Sequence, residues 1–205
     1  MSEGRLRRLH KKAPKEIATA LQPYGYYRPL IQGELVQITP EKWQASYNVD
    51  SGPGIPIVEF NFNISEEMGN DPAFQALLPP PHLRPGNIFS HIEYDKFKNS
   101  LTTLASERGY FTASFTQHRV AINLDTYDVA IQLEYEGGHR YNFGEVTLDQ
   151  DVLDTEFLKR YIPFEQGTPY SLNALIDLQQ ALHDSDYFQT VEVAPDKVQP
   201  DSNQV

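Results

Sequence analysis

The stretch Arg108-Gly109-Tyr110-Phe111 has two relatives in the chain, Tyr24-Gly25-Tyr26-Tyr27 and Ser185-Asp186-Tyr187-Phe188. Nine, six and five positions before each central tyrosine stand apolar residues, a spacing that places them on one helix face. Glycine suits the left-handed position that ends a helix because it has no Cβ. Each stretch therefore predicts a helix, a stop and a strand that begins with two aromatic residues. We call the three stretches the glycine–aromatic motifs; Asp186 makes the third copy the weakest.

The elements predicted around these motifs follow one order along the chain. Hydrophobic periodicity between residues 55 and 135 predicts a strand, two helices and two strands, at 55–64, 72–78, 94–107, 112–124 and 127–135. In the first strand the apolar residues Val58, Phe60, Phe62 and Ile64 alternate with the polar residues Glu59, Asn61 and Asn63. Asp71 is a predicted N-cap. The same order recurs as a strand at 141–148, helices at 155–162 and 172–184 and a strand at 188–193.

The amino-terminal part carries only the later members of this order. Pro14 is predicted in the first turn of a helix that ends near Leu21, and strands follow at 30–39 and 42–49. The polar stretch 195–205 is a predicted loop.

The spacing of the motifs and the loop residues between them divide the chain into three repeats. Tyr26 and Tyr110 are 84 residues apart, and Tyr110 and Tyr187 are 77 apart, which is the size of a small domain. Loop residues at 50–54 and 136–138 mark the boundaries. We predict the carboxyl-terminal part of a first domain at 1–51, a complete second domain at 52–136, and a third domain without its last strand at 137–205. We expect the chain to be a fragment of a longer array.

Composition excludes several classes of function. Lys and Arg number 17 against 28 Asp and Glu, and the formal net charge of −11 disfavours nucleic acid as the main partner. Cysteine is absent, so there is no disulfide framework, thiolate metal site or cysteine nucleophile. With 40% apolar residues, 12 Tyr and 11 Phe, the chain has the material for packed cores.

The strand–helix–helix–strand–strand order, with Gly-Tyr-Phe closing the second helix, resembles the POTRA domain, the polypeptide-transport-associated module. Residues 94–111 carry the fullest form, and residues 140–146, 163–170 and 186–188 carry the third. Three linked copies are most similar to the periplasmic arms of the TamA type, from the translocation and assembly module. The resemblance implies an α+β fold of tandem POTRA domains, each a three-stranded mixed sheet with two helices on one face.

The resemblance also implies a place and a set of partners. Family members project into the periplasm from a carboxyl-terminal outer-membrane barrel and help assemble outer-membrane and autotransporter proteins. The implied partners are that barrel, a TamB-like protein anchored in the inner membrane, and unfolded clients. Arms of two-partner secretion transporters or of the general outer-membrane assembly barrel are the related alternatives. A soluble periplasmic chaperone or a hydrolase domain is the alternative from another class.

The sequence predicts neither catalysis nor a metal or other cofactor. The helix-based zinc signature needs two histidines four residues apart, and the six histidines do not provide it. Carboxylates such as Glu66, Glu67, Asp149 and Asp151 stand in predicted turns or caps. Glycines at 86, 109 and 167 do not precede the Lys-Ser/Thr pair of a phosphate loop.

The candidate site is therefore a backbone edge. POTRA domains are thought to use the strand after the second helix to accept partner strands, which here is about 111–120. One face carries the candidate partner-binding residues Ser114, Thr116, His118 and Val120. Unpaired N–H and C=O groups on such an edge pair with an extended client of almost any sequence. The alternative is an edge that only meets solvent. In the motifs, Gly25, Tyr26, Tyr27, Gly109, Tyr110, Phe111, Tyr187 and Phe188 are predicted to be structural, with glycine ending the helix and the aromatic residues entering the core.

Overall fold

The computed structural model describes residues 2–195, so the loop predicted at 195–205 lies almost entirely outside the described residues. Contacts divide the chain into two compact units. One comprises Met1–Phe62, Leu78–Lys98 and Gln117–Leu133; the other comprises Asn63–Leu77, Asn99–Thr116 and Glu134–Val205. The division by sequence into three repeats stays a prediction, and we keep the word repeat for 1–51, 52–136 and 137–205.

The first repeat is a helix against a hairpin. Helix α1 (Glu3–Leu21) is followed by strands β1 (Leu30–Thr39) and β2 (Lys42–Asp50), which pair antiparallel with Leu30 opposite Asp50. The helix contacts the hairpin through His10, whose Nδ1 lies 2.8 Å from the hydroxyl of Tyr47. The prediction that Pro14 opens this helix was wrong, because α1 begins eleven residues earlier and contains Pro14. Its first turns gain support from the ion pair of Glu3 with Arg7, at 2.8 Å.

The second repeat contains the complete sheet. Its elements are β3 (Ile57–Ile64), α2 (Glu66–Asn70), α3 (Pro72–Gln75), α4 (His91–Glu107), β4 (Ser114–Asn123) and β5 (Asp128–Glu136). The strand order is β3-β5-β4, which places the last strand in the centre. The amide of Val129 donates to the carbonyl of Pro56 and that of Ser65 to Tyr135, so β3 and β5 run parallel. A short turn joins β4 to β5, so that pair is antiparallel.

The core of the second repeat follows the alternation of β5. Val129, Ile131, Leu133 and Tyr135 are all at most 1% exposed. Helix α4 adds a stripe of buried residues at helical spacing, namely Tyr94, Phe97, Leu101 and Ala105. In β3 the side chain of Val58 is 54% exposed, whereas that of its neighbour Ile57 is buried. Ile57 points inward because the amides of Ile57 and Gly86 bind this end of β3 to the loop before α4.

The third repeat has helices but, among the described residues, no strand. Helices α5 (Thr155–Leu158) and α6 (Leu172–Asp184) form as predicted. The strands predicted at 141–148 and 188–193 are wrong, since within residues 137–195 the structure shows a single bridge, between Asn142 and Pro169. In the second repeat both corresponding strands pair with β5. Without a counterpart of β5 in 137–195, each segment lacks its pairing neighbour, and local alternation alone does not make a strand.

Across residues 2–195, no helix combines the length and apolarity that crossing a membrane requires.

Candidate docking edge and repeat junctions

All three glycine–aromatic motifs adopt the left-handed conformation at the same position. The φ angles are +87° at Gly25, +85° at Gly109 and +58° at Asp186. The predicted helix stop is therefore present in each copy. Asp186 takes the same conformation at an energetic cost that glycine avoids, which is of the order of 1–2 kcal/mol.

The aromatic residues of the second motif have different destinations. Tyr110 is 2% exposed and meets Phe74 edge to face, with ring centroids 5.9 Å apart, so it enters the core of its own repeat as predicted. Phe111 does not. Its ring lies 5.5 Å from that of Tyr141 and 4.9 Å from that of Tyr170, both in the third repeat. Phe111 stands in a turn in which the amide of Ala113 donates to the carbonyl of Tyr110 at 3.1 Å, and β4 begins after it, at Ser114.

The outer copies differ from the second. Tyr27 reaches the second repeat, where its hydroxyl lies 2.8 Å from Nε2 of His91. The neighbouring Tyr26 is half-buried, and its amide donates to the carbonyl of Leu21 at the end of α1. In the third copy Phe188 packs against the cluster of Leu158, Leu178 and Leu182, whereas Tyr187 is 49% exposed and does not enter a core as predicted.

The motif glycine also receives a hydrogen bond from the next repeat. The amide of Ile55 donates to the carbonyl of Gly25 at 2.8 Å, and the amide of Tyr141 donates to that of Gly109 at 2.8 Å. The two junctions thus share one bond of equal length. A Cβ on Gly25 would lie 2.0 Å from the carbonyl oxygen of Phe89, and one on Gly109 would lie 2.9 Å from Cβ of Tyr170. The motif requires glycine for close approach as well as for its backbone conformation.

A second set of bonds recurs within the second and third repeats. Phe89 donates to Ile55 at 2.8 Å in the second repeat, and Tyr170 donates to Tyr141 at 2.9 Å in the third. Ile57 then donates to Asn87 and Phe143 to Thr168, each at 2.8 Å. The loops at 86–90 and 167–171 therefore hold the first segment of each repeat in the same way. The two loops also share a sequence pattern: each has a glycine, an aromatic residue three positions later, and then a serine.

An ion pair between buried Asp71 and half-buried Arg108 lies at the end of α4. Asp71 caps α3 by accepting from the amide of Ala73, and its Oδ2 accepts from Nε and Nη2 of Arg108 at 2.9 and 2.6 Å. Arg140 donates from Nε to the carbonyl of Arg108 and lies over the ring of Tyr110. Burial would raise the pKa of Asp71, but the Ala73 amide and the guanidinium groups of Arg108 and Arg140 together hold the pKa below its ordinary value. The sequence predicted the cap and missed the pair.

The candidate partner-binding residues lie on an edge strand. Strand β4 pairs with β5 on one side only, so its other side is an edge of the sheet. Ser114, Thr116 and His118 are exposed, and Val120 is half-buried. Phe115 points to the opposite face, where its ring is 4.4 Å from that of Tyr135. The strand thus has short polar side chains on one face and an aromatic anchor on the other.

Among residues 2–195 there is no group of three or more His, Asp or Glu side chains that could hold a metal ion.

Comparison with known families identifies the fold. Residues 1–51 match the family model described as POTRA domain TamA domain 1, and residues 141–205 match the POTRA model described as surface antigen variable number repeat. The chain belongs to the POTRA family. The two matches lie at opposite ends of the chain, on either side of the complete sheet.

Solved structures agree with the POTRA fold. The crystal structure of BamA POTRA3-5 from Haemophilus influenzae aligns with a TM-score of 0.51 at 18% identity, over 93% of this chain and 76% of that one. BamA from Haemophilus ducreyi lacking POTRA domains 1-3 aligns with a TM-score of 0.53 at 19% identity, over 73% of this chain and 27% of that one. At these identities the likeness shows the fold alone. The predicted α+β POTRA class, with a three-stranded mixed sheet, is confirmed.

Proposed function

We propose that this POTRA chain is the periplasmic arm of an outer-membrane assembly barrel of the TamA type, and that it docks extended strands on β4 without catalysis. Its partners are then the barrel, a TamB-like protein anchored in the inner membrane, and unfolded outer-membrane or autotransporter clients. The TamA-type model that matches residues 1–51 supports the type of arm. The BamA structures support the POTRA fold of the arm.

The observation that carries the docking role is the open side of β4. The strand spans ten residues, and its outer N–H and C=O groups have no neighbouring strand among the described residues. Pairing with the main chain gives affinity that is almost independent of client sequence. The exposed Ser114, Thr116 and His118 leave room for the side chains of an added strand. A permissive site of this kind suits a protein that handles many clients.

Adjacent proline substitutions test this role. Successive amides of a strand point alternately to its two sides, so one of Thr116→Pro and Gln117→Pro removes an outward donor and the other removes a donor to β5. The probe is a fluorescent peptide of alternating threonine and valine with lysines at both ends. We expect the variant that loses an outward amide to keep the circular dichroism spectrum and thermal midpoint of the parent. The increase in anisotropy of the labelled peptide on addition of this variant should be smaller than with the parent. Unchanged binding in both folded variants would refute docking at β4.

A further inference from the structure

Helix α1 carries a concentration of positive charge that docking at β4 does not use. Its 19 residues include six Lys and Arg against two Glu, whereas the rest of the chain has 11 Lys and Arg against 26 Asp and Glu. The helix is therefore a positive segment of a strongly negative protein. Five of its six cations follow one another at steps of three and four and so share one side of the helix. We call this side the basic face; its members are Arg5, Arg8, Lys11, Lys12 and Lys15.

Four members of the basic face are free to meet a partner. All five residues are exposed, and Lys12 pairs with Glu16 at 2.5 Å. The other four have no acidic partner among residues 2–195. Like charges three and four residues apart repel one another and destabilise a helix. The basic face therefore weakens α1 and is not explained by the stability of the fold.

The second repeat shows that this side of the helix faces solvent when the POTRA sheet is complete. The spacing of 84 residues between Tyr26 and Tyr110 aligns α1 with α4. At the positions of the last four members of the basic face, α4 has exposed residues, namely Ile92, Asp95, Lys96 and Asn99. The three-stranded sheet is present in that repeat and does not cover them. The exposure is thus common to both helices, whereas the concentration of charge is specific to α1.

The shape of the basic face suits a flat anionic surface. The opposite side of α1 packs on the hairpin, where His10 contacts Tyr47. The five cations project from the convex side of a single helix, over about 15 Å of its axis. A plane of phosphate groups can meet such a row, whereas an acidic peptide is held by a groove or a strand edge. Leu9, which is 44% exposed, lies beside Arg5 and Lys12 at helical spacing.

We propose that the basic face of α1 binds the surface of a bilayer that contains anionic phospholipid. The lipid phosphates contact the unpaired Arg and Lys side chains, and Leu9 enters the boundary between headgroups and acyl chains. The same surface repels the negative remainder of the chain, so α1 is the part that meets it. This inference rests on the proposed function only for the presence of a membrane near the chain, and it concerns a different site from β4.

Vesicle flotation with the full chain tests the proposal. One set of vesicles is phosphatidylcholine alone, and the other contains about one-third phosphatidylglycerol. We expect the parent to float with the second set only, and added sodium chloride to release it, because salt screens contacts between exposed charges. The variant that combines Arg8→Gln, Lys11→Gln and Lys15→Gln should bind about tenfold or more weakly. Its thermal midpoint should equal or exceed that of the parent, because repulsion along α1 is relieved.

A control variant makes the same change in net charge outside α1, by Arg84→Gln, Lys96→Gln and Arg160→Gln at exposed positions. We expect it to float with the phosphatidylglycerol vesicles as the parent does. An equal loss in both variants would show a general effect of net charge and would overturn the proposal. Equal flotation of the parent with both vesicle sets would also overturn it.

An acidic polypeptide is the other occupant that the charge allows. A fluorescent peptide of alternating glutamate and serine is the probe for it. Failure of the parent to float with either vesicle set would overturn the proposal, and binding of this peptide instead would assign the basic face to an acidic polypeptide. The variant at Arg8, Lys11 and Lys15 should keep the parent's binding of the threonine–valine peptide at β4. Whichever of Thr116→Pro and Gln117→Pro stays folded should keep vesicle binding, so the two sites fail separately.

Discussion

The amide of Tyr141 donates a 2.8 Å hydrogen bond to the carbonyl of Gly109, the residue that ends α4 in the left-handed conformation. One residue thus closes the helix of one repeat and accepts the first segment of the next. Gly25 does the same for Ile55, at 2.8 Å. The coupling between neighbouring repeats therefore includes a backbone bond at the motif, beside the side-chain contacts that Tyr27 and Phe111 make.

Alanine substitution at three left-handed glycines separates conformational strain from contact. Gly86, with φ of +93°, has no atom within 4 Å of an added Cβ, so Gly86→Ala should cost only the strain, about 1–2 kcal/mol. Gly109→Ala should cost more because Tyr170 and Tyr141 lie at 2.9 and 3.0 Å, and Gly25→Ala should cost most because the oxygen of Phe89 lies at 2.0 Å. Urea unfolding followed by circular dichroism gives the order of the three.

The fluorescence of the single tryptophan is a local probe of unfolding in the same experiment. Trp43 stands in β2, so its fluorescence reports the first repeat. Gly25→Ala should move the fluorescence transition, and Gly109→Ala should move the circular dichroism transition more than the fluorescence one. An equal loss of stability in all three variants would show that contact at the junction contributes nothing.

Asp71 should make stability depend on acid pH. Its pKa in the folded chain lies below the ordinary value of 3.8, so the stabilisation is fully present above pH 3.8 and is lost as pH falls from there through the folded pKa. Asp71→Asn keeps a side-chain oxygen for the Ala73 amide but removes the charge facing Arg108. We expect the variant to be less stable at pH 6 and to lose less stability than the parent between pH 4 and pH 3.

Urea unfolding across that range measures the effect, and Asp151→Asn, at an exposed carboxylate, is the control. Parallel pH profiles for the parent and Asp71→Asn would show that the pair with Arg108 does not contribute to stability.

Two valines of the same sheet should respond differently to truncation. Val129 in β5 is 0% exposed and Val58 in β3 is 54% exposed. Both lose strand propensity when changed to alanine, but only Val129→Ala leaves a buried space. We expect Val129→Ala to cost about 2 kcal/mol and Val58→Ala under about 1 kcal/mol, measured by chemical denaturation. A cost at Val58 that equals the cost at Val129 would contradict the burial of this sheet.

Local sequence patterns predicted the local structure well. The left-handed glycines, the cap at Asp71 and the buried face of β5 all depend on neighbours within a few residues, and spacing along the chain reveals them. The edge position of β4 follows from the POTRA resemblance. Alternation along β3 does not show that Ile57 is buried and Val58 exposed, because it does not show where a loop holds the start of a strand.

Local sequence patterns could not predict contacts between residues that are far apart in the sequence. Asp71 and Arg108 are 37 positions apart, and nothing in either neighbourhood marks them as a pair. The sequence placed Phe111 in the core of the second repeat, because the residue type does not show which repeat an aromatic side chain packs against. The strands predicted at 141–148 and 188–193 did not form for a related reason. A strand needs a neighbouring segment to pair with, and the periodicity of a segment does not show whether that neighbour is present.

The bond from Tyr141 to Gly109 also decides where the chain can be divided for study. A fragment that ends at the loop near 137 keeps Gly109 but loses the amide that its carbonyl accepts. A fragment that begins there keeps Tyr141 without its acceptor. Fragments of this protein should therefore keep Gly109 with Tyr141, and Gly25 with Ile55, on the same piece.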